Sequence, residues 1–332
     1  MALLPNPSAV AQGLARRALI DDRLAPRVLF VASSGGHVTE LRRLATGIDH
    51  RSSSVWLTFD TPQTRSILHG RTVEYVPYVR PRDVVGTLGT FWQVWKLLQR
   101  EHFDLVVSTG SAIAVGAFLA ARLHAIRTRY IESIARVSGP STTGRIVSLL
   151  HLAELRTQHV RWADRRWRPV TGLIDSLRIG RWPQDREPVV RPTVFVTLGT
   201  IKPYRFDALV DAVLSSGLAD DSTVWQLGAT TRADLPGRVA SLLDPEEFAE
   251  AVRNADVVVT HAGVGTILEL LDAGMHPVVV PRRARRGEHV DDHQTEIADF
   301  LAGTAALTVV EADELRAAHL VAATRAAVGG RA

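Results

Sequence analysis

Apolar runs recur along the chain. Each is followed by a turn of small residues and then by apolar positions at helical spacing. Arg27–Ala32 (RVLFVA) reads as a buried strand and Ser33–His37 as its turn. Leu41, Leu44 and Ile48 then mark one face of a helix, with Gly47 near its stop. Ser54–Phe59 and Val73–Val76 read as strands, Thr90–Arg100 as a helix, and Leu105–Ser108 as a strand whose turn, Thr109–Ser111, opens another helix. Arg129–Ile131 returns to strand. Arg178–Pro192 breaks the rhythm with Gly180, Pro183, Pro188 and Pro192 set among charges, so it reads as a linker. A second series follows: strands at Thr193–Thr197, Thr223–Leu227, Asp256–Thr260 and Pro277–Val280, with helices at Phe206–Leu214, Asp244–Asn254 and Thr266–Ala273, and a last helix over Glu311–Val328.

Strands alternating with helices imply parallel sheets with right-handed crossovers. The expected organisation is a tail (1–26), a first Rossmann-like domain (27–177), a linker (178–192) and a second Rossmann-like domain with a C-terminal helix (193–332). A cleft is expected where the C-terminal ends of the two sets of strands face each other.

Composition narrows the chemistry. The 332 residues suit two domains, and 46% apolar content is that of a globular chain. The absence of cysteine excludes disulfides, thiol nucleophiles and cysteine-bound zinc. The formal charge of +4, mostly from arginine, is compatible with phosphate, anionic lipid or nucleic acid. No recognised nucleic-acid module accompanies the arginines. Arg16, Arg17, Asp21 and Asp22 interrupt any signal-like run, and Leu105–Ala121 is short for a spanning helix, so no transmembrane segment is expected.

Asp256–Gly274 (DVVVTHAGVGTILELLDAG) is the most informative stretch. Gly263 and Gly265 let a ligand approach the backbone, and the helix start that follows favours an anion such as a diphosphate. Glu269, one turn in, is placed to accept hydrogen bonds from ribose hydroxyls. Thr266-x-x-Glu269 is also a capping box, which needs no ligand. In the first half, Val28–Leu41 (VLFVASSGGHVTEL) repeats strand, turn and helix, with Gly35 and Gly36 in the turn. Histidine titrates near neutral pH, so His37 is a candidate general base or a plain helix-start hydrogen-bonder.

The motifs H-A-G-x-G-T-x-x-E and D-x-H-Q, separated by G-x-x-P-x-x-V-P, resemble the donor half of family 28 glycosyltransferases. The matching positions are His261, Gly263, Gly265, Thr266, Glu269, Gly274, Pro277, Pro281, Asp292, His293 and Gln294. Phe195–Thr200 (FVTLGT), which contains Gly199 and Thr200, adds to the match. The resemblance implies that Gly265 and Thr266 contact the donor diphosphate, Glu269 the ribose, and Gln294 the donor sugar. Asp291–Gln294 also reads as a solvated helix start. A metal site there is not expected. Arg282, Arg283, Arg285 and Arg286 are candidates for the leaving diphosphate or lipid headgroups, or form a solvated loop.

S-S-G-G-H-x-x-E-L, Ser108–Ala121 and Tyr130–Ile146 resemble the acceptor-side, membrane-recruiting subunit of a two-part transferase of this type, whose bacterial relatives act in exopolysaccharide synthesis. That resemblance covers roughly residues 27–175 and directs attention to Ser34, Gly35, Gly36, Gly110, Ser133 and Arg136 as acceptor or phosphate contacts. Glu132 is the second candidate base after His37. Arg161–Pro169 (RWADRRWRP) interleaves arginine with Trp162 and Trp167, either as an interfacial surface or as core tryptophans beside a basic face.

Together the halves imply a GT-B fold, two Rossmann-like domains with parallel sheets facing across a cleft. The implied function is an inverting UDP-sugar transferase acting on a polyprenyl-diphosphate-linked acceptor at the inner face of the plasma membrane. UDP-sugar would be substrate, with no cofactor and no metal. An epimerase on the same fold and a non-catalytic recruiting subunit are the alternatives.

Overall fold

The computed structural model describes residues 24–80, 83–173, 187–199, 203–289, 293–302 and 306–326, with backbone alone at residues 293 and 326. The expected linker lies largely outside these residues.

The first half builds a seven-stranded, all-parallel sheet. Its strands are β1 (Val28–Val31), β2 (Val55–Phe59), β3 (Thr72–Val76), β4 (Leu105–Ser108), β5 (Arg127–Ile131), β6 (Glu154–Thr157) and β7 (Trp167–Pro169), in spatial order β3-β2-β1-β4-β5-β6-β7. Its helices are α1 (Gly36–Leu44), α2 (Pro62–Ile67), α3 (Val84–Arg100), α4 (Ala112–Leu123) and α5 (Thr142–Leu149). Every residue of β1 is buried because both faces of the sheet are covered. Leu29 and Val31 pack towards Val94 of α3 and Phe118 of α4, whereas Val28 and Phe30 pack towards Val38 and Leu41 of α1.

The second half repeats the plan with six parallel strands. They are β8 (Val194–Thr197), β9 (Val224–Gln226), β10 (Arg238–Ala240), β11 (Val257–His261), β12 (Val278–Val280) and β13 (Thr308–Val309), in order β10-β9-β8-β11-β12-β13. Its helices are α6 (Asp207–Ser215), α7 (Pro245–Asn254), α8 (Val264–Asp272), α9 (His293–Ala302) and α10 (Ala317–Ala326). Leu320 and Ala323 of α10 share a core with Leu209 and Val213 of α6. The last helix therefore docks on the second sheet, and it begins at Ala317, later than the expected Glu311.

In both sheets the strand order reverses between the first strand and the fourth: β1 and β4, then β8 and β11. At such a switch point the connections leave in opposite directions and open a crevice at the carboxyl ends of the strands. The glycine-rich turns all lie there. Two expectations fail for local reasons. Helix α3 begins two turns earlier than Thr90, because the Asp83 carboxylate accepts from Gly86 N (2.8 Å) and caps a start whose two glycines blur the helical period. Trp162 and Trp167 form no interfacial surface: Trp167 is buried, Trp162 packs on it at 5.3 Å, and the Trp162 indole donates to the Arg136 carbonyl (3.1 Å).

Candidate active site at the meeting of two switch points

Gly35 precedes α1 with φ 78° and ψ −137°, a backbone that side chains other than glycine rarely take. Its carbonyl accepts from Thr39 N (3.3 Å), and Ser34 flanks it in the turn. His37 sits in the first turn of α1, over the turn that follows β4. A Cβ on Gly110 (φ 123°) would lie 3.4 Å from His37 Cε1 and 3.1 Å from the Tyr130 hydroxyl. The Thr109 hydroxyl donates to the His37 carbonyl (3.1 Å), which binds the two turns to each other.

Beneath this turn, Glu132 is 1% exposed. Its Oε1 accepts from the Tyr130 hydroxyl (2.9 Å) and Ser133 N (3.2 Å), and its Oε2 from Ser141 N (2.9 Å) and Ser141 Oγ (3.1 Å). Burial pushes its pKa up, against the pull of these hydrogen bonds. With four donors from the chain itself, Glu132 is built as a buttress for the turn and for the start of α5. Ser133 is buried on the same loop, and Arg136 follows at its half-exposed edge.

In the second half, His261 ends β11 and is wedged between two glycines. A Cβ on Gly199 would lie 2.5 Å from His261 Nε2, and one on Gly263 closer still. Both glycines are therefore needed to seat this ring. Burial, then the charges of Arg282 and His289, pull its pKa down to about 3, so it serves as a neutral imidazole. Helix α8 starts at Val264 with Gly263 as N-cap and no side-chain cap. The capping-box alternative for Thr266 and Glu269 thus falls away, because both lie inside the helix. Glu269 reaches solvent; partial desolvation raises its pKa and nearby Arg43 lowers it.

Gln294 is buried in the first turn of α9 and accepts from Arg282 N (3.3 Å). His293 opens that helix, while Thr200, Asp291 and Asp292 lie outside the described residues. Arg282 is not part of a solvated loop. It is fully buried, with Nη1 donating to the carbonyls of Tyr204 and Glu288 (both 3.0 Å), its guanidinium over Phe206, and its pKa lowered by burial to about 10. Arg283 pairs with Glu311 and Arg286 with Asp313, which leaves Arg285 exposed.

The two halves meet at these turns. A Cβ on Gly265 would lie 3.3 Å from Gly36 Cα, so the N-termini of α1 and α8 are in contact. Arg43 of α1 pairs with Asp272 of α8 (2.5 Å), and Glu296 of α9 accepts from Ser138 N (3.2 Å). The two helix starts stand against each other in this structure. A cavity of about 200 Å³ bounded by Thr193, Ser222, Arg238, Glu247 and Asn254 lies at the opposite end of the second sheet, away from the glycine turns. No cluster able to hold a metal occurs among the described residues.

Two Rossmann-like domains joined at their switch points define a GT-B fold, and solved GT-B proteins superpose on it. The MurG protein of Acinetobacter baumannii aligns with a TM-score of 0.54 at 21% identity, covering 89% of this chain and 88% of its own. Residues 243–328 match the model of the glycosyltransferase family 28 C-terminal domain. The UDP-N-acetylglucosamine–N-acetylmuramyl-(pentapeptide) pyrophosphoryl-undecaprenol N-acetylglucosamine transferase of Xanthomonas axonopodis pv. citri (strain 306) is 33% identical over 315 residues, 88% of this chain and 72% of the relative. The enzyme of the same name from Chlorobium luteolum is 28% identical over 247 residues, and the matched region spans 66% of this chain and 62% of that relative's length. The chain belongs to glycosyltransferase family 28.

Proposed function

We propose that this transferase moves a sugar from a UDP-sugar to a lipid-linked acceptor in cell-envelope or exopolysaccharide synthesis, with inversion at the anomeric carbon. The observation that carries the reading is the convergence of two glycine turns at one point, with His37 on one side and Gly265, Thr266, Glu269 and Gln294 on the other. The relatives' names supply the first candidate substrates: UDP-N-acetylglucosamine as donor and a polyprenyl diphosphate carrying a sugar as acceptor.

In this reading the donor diphosphate lies on the N-terminus of α8, where unpaired backbone N–H groups favour an anion. The ribose hydroxyls donate to Glu269. His37 accepts the proton of the acceptor hydroxyl as its oxygen attacks the anomeric carbon. The bond from that carbon to the diphosphate oxygen breaks, and UDP leaves with the electron pair. The helix start stabilises the charge gained by UDP, so the scheme calls for no metal.

The route to a lipid acceptor is supported by a second feature. Val84, Leu88 and Trp92 stand at i, i+4 and i+8 on α3, all exposed, with Val85 beside them and Lys96 one turn further on. An apolar stripe closed off by a basic residue suits the surface of an anionic membrane. No helix among the described residues is long and apolar enough to cross a membrane. The reading is therefore peripheral attachment.

The test is a screen of UDP-sugars against a membrane-lipid extract, reading UDP release and the lipid-linked product. His37→Ala is expected to lower turnover roughly a hundredfold or more while UDP binding is unchanged. Full turnover in that variant removes His37 as the base. A chelator should leave turnover unchanged. Isomerised sugar from donor alone, without acceptor, would point to an epimerase instead.

A further inference from the structure

Glu40 stands three residues beyond His37 on α1, and the chemistry above makes no use of it. Its side chain is 1% exposed. Oε1 accepts from Ile134 N (2.7 Å) and from Gln158 Nε2 (2.5 Å). The same Gln158 amide donates to the Glu132 carbonyl (3.1 Å), and Gln158 Oε1 accepts from Leu173 N (3.1 Å). The Ile134 carbonyl, in turn, lies 2.6 Å from His159 Nε2. Both backbone polar groups of Ile134 are thus fixed, one of them by Glu40.

The Ile134 side chain leaves its own domain. It shares a buried cluster with Ile267 and Leu268 of α8 and Ile297 of α9. A path therefore runs from the helix that bears His37, through the Glu40 carboxyl, the Ile134 loop and this shared cluster, to the helix whose first turn holds Gly265. Burying a carboxyl is costly, and an apolar side chain would fill the space without that cost. The carboxyl does what an apolar side chain cannot: it ties three remote segments together one turn behind the candidate base. Displacing a catalytic group by an ångström costs large factors in rate, so such a tie has a kinetic consequence.

We propose that Glu40 is a positioning residue: its carboxyl fixes α1 to the Ile134 loop and, through that loop's seat on Ile267 and Leu268, sets the reach of His37 towards the donor helix. The proposal rests on the reading of His37 as base and α8 as donor site. It is tested in the full chain with Glu40→Ala, which removes the acceptor, and Glu40→Gln, which keeps one. Glu40→Ala is expected to lower kcat by roughly tenfold to a hundredfold, with donor KM and UDP affinity within about threefold of wild type. Glu40→Gln is expected to restore kcat. Hydrogen exchange should speed up in peptides spanning 133–137 and 264–272 in Glu40→Ala only.

Wild-type kcat in Glu40→Ala, loss of UDP affinity in step with kcat, or failure of Glu40→Gln to restore kcat would each overturn the proposal. If the wild-type chain transfers no sugar, the functional reading fails, and exchange decides the clamp by itself: acceleration limited to 133–137 overturns the cross-domain link. If Glu40→Ala does not melt cooperatively, Ile134→Ala removes the seat while keeping the carboxyl. It should lower kcat without weakening UDP affinity, and wild-type kcat in it overturns the proposal.

Discussion

The titration of Glu40 offers a measurement that needs no substrate. Burial holds its pKa at about 7, above the ordinary value of 4.5, with the neighbouring Glu132 charge adding to the rise. The folded chain therefore binds an extra proton between these values. The contribution to stability is full below about pH 4.5 and is lost as pH rises through about 7. Glu40→Gln removes this dependence while keeping the acceptor. Its stability relative to wild type should rise on the order of 3 kcal/mol between about pH 4.5 and about pH 8, read by denaturant midpoints. At Glu269 the expected effect is on binding. Glu269→Ala should weaken UDP roughly tenfold in calorimetry, as loss of charged hydrogen bonds to ribose does, without altering the melting point. Glu40 stands in the S-S-G-G-H-x-x-E-L motif, but its burial and its partners could not be read from sequence spacing. A glutamate in an amphipathic helix reads as surface, and the groups that bury it arrive from 94 and 118 residues away. The glycines were legible because turn chemistry is local.

Among elements, the buried strands were legible, as was the edge strand at Val73–Val76, and other marginal strands were not. β1, β4, β8 and β11 are continuous apolar runs because helices cover both faces. Glu154–Thr157, Trp167–Pro169 and Arg238–Ala240 lie towards the sheet margins, carry exposed charges and leave no such run. The packing of α3 on α4 was also invisible in the sequence. It depends on Gly116, where a Cβ would lie 2.5 Å from the Thr87 carbonyl oxygen and 2.9 Å from Phe91 N. Both are backbone atoms of the facing helix and cannot rotate aside. Gly116→Ala should therefore destabilise the fold by roughly 1–3 kcal/mol, seen as a lowered melting temperature, although alanine is the better helix former.

At the scale of the molecule, the same α3 whose back packs through Gly116 turns Val84, Leu88 and Trp92 outward. If that face holds the chain at a membrane, Leu88→Glu with Trp92→Glu should abolish sedimentation with anionic vesicles and leave UDP binding intact. Retention of the double variant on the vesicles would rule the face out. That each half builds a parallel sheet followed from the alternation of strands and helices, and so did the facing crevice. Their actual contact did not, because it is made by Gly36, Gly265, Arg43 and Asp272, which have no shared pattern along the chain.

That contact makes affinity for the donor a property of more than the donor's own contacts. In the reading of α8 as the donor site, the diphosphate competes with Gly36 for the space beside Gly265, so the fraction of molecules whose two helix starts stand apart sets its access. The apparent dissociation constant is the intrinsic one divided by that fraction. Asp272→Ala weakens the contact from the far end of α8 without touching the turn, and it should tighten apparent UDP binding by up to about fivefold, the scale of an exposed ion pair. The enzyme in its closed form acts as a competitor of its own donor.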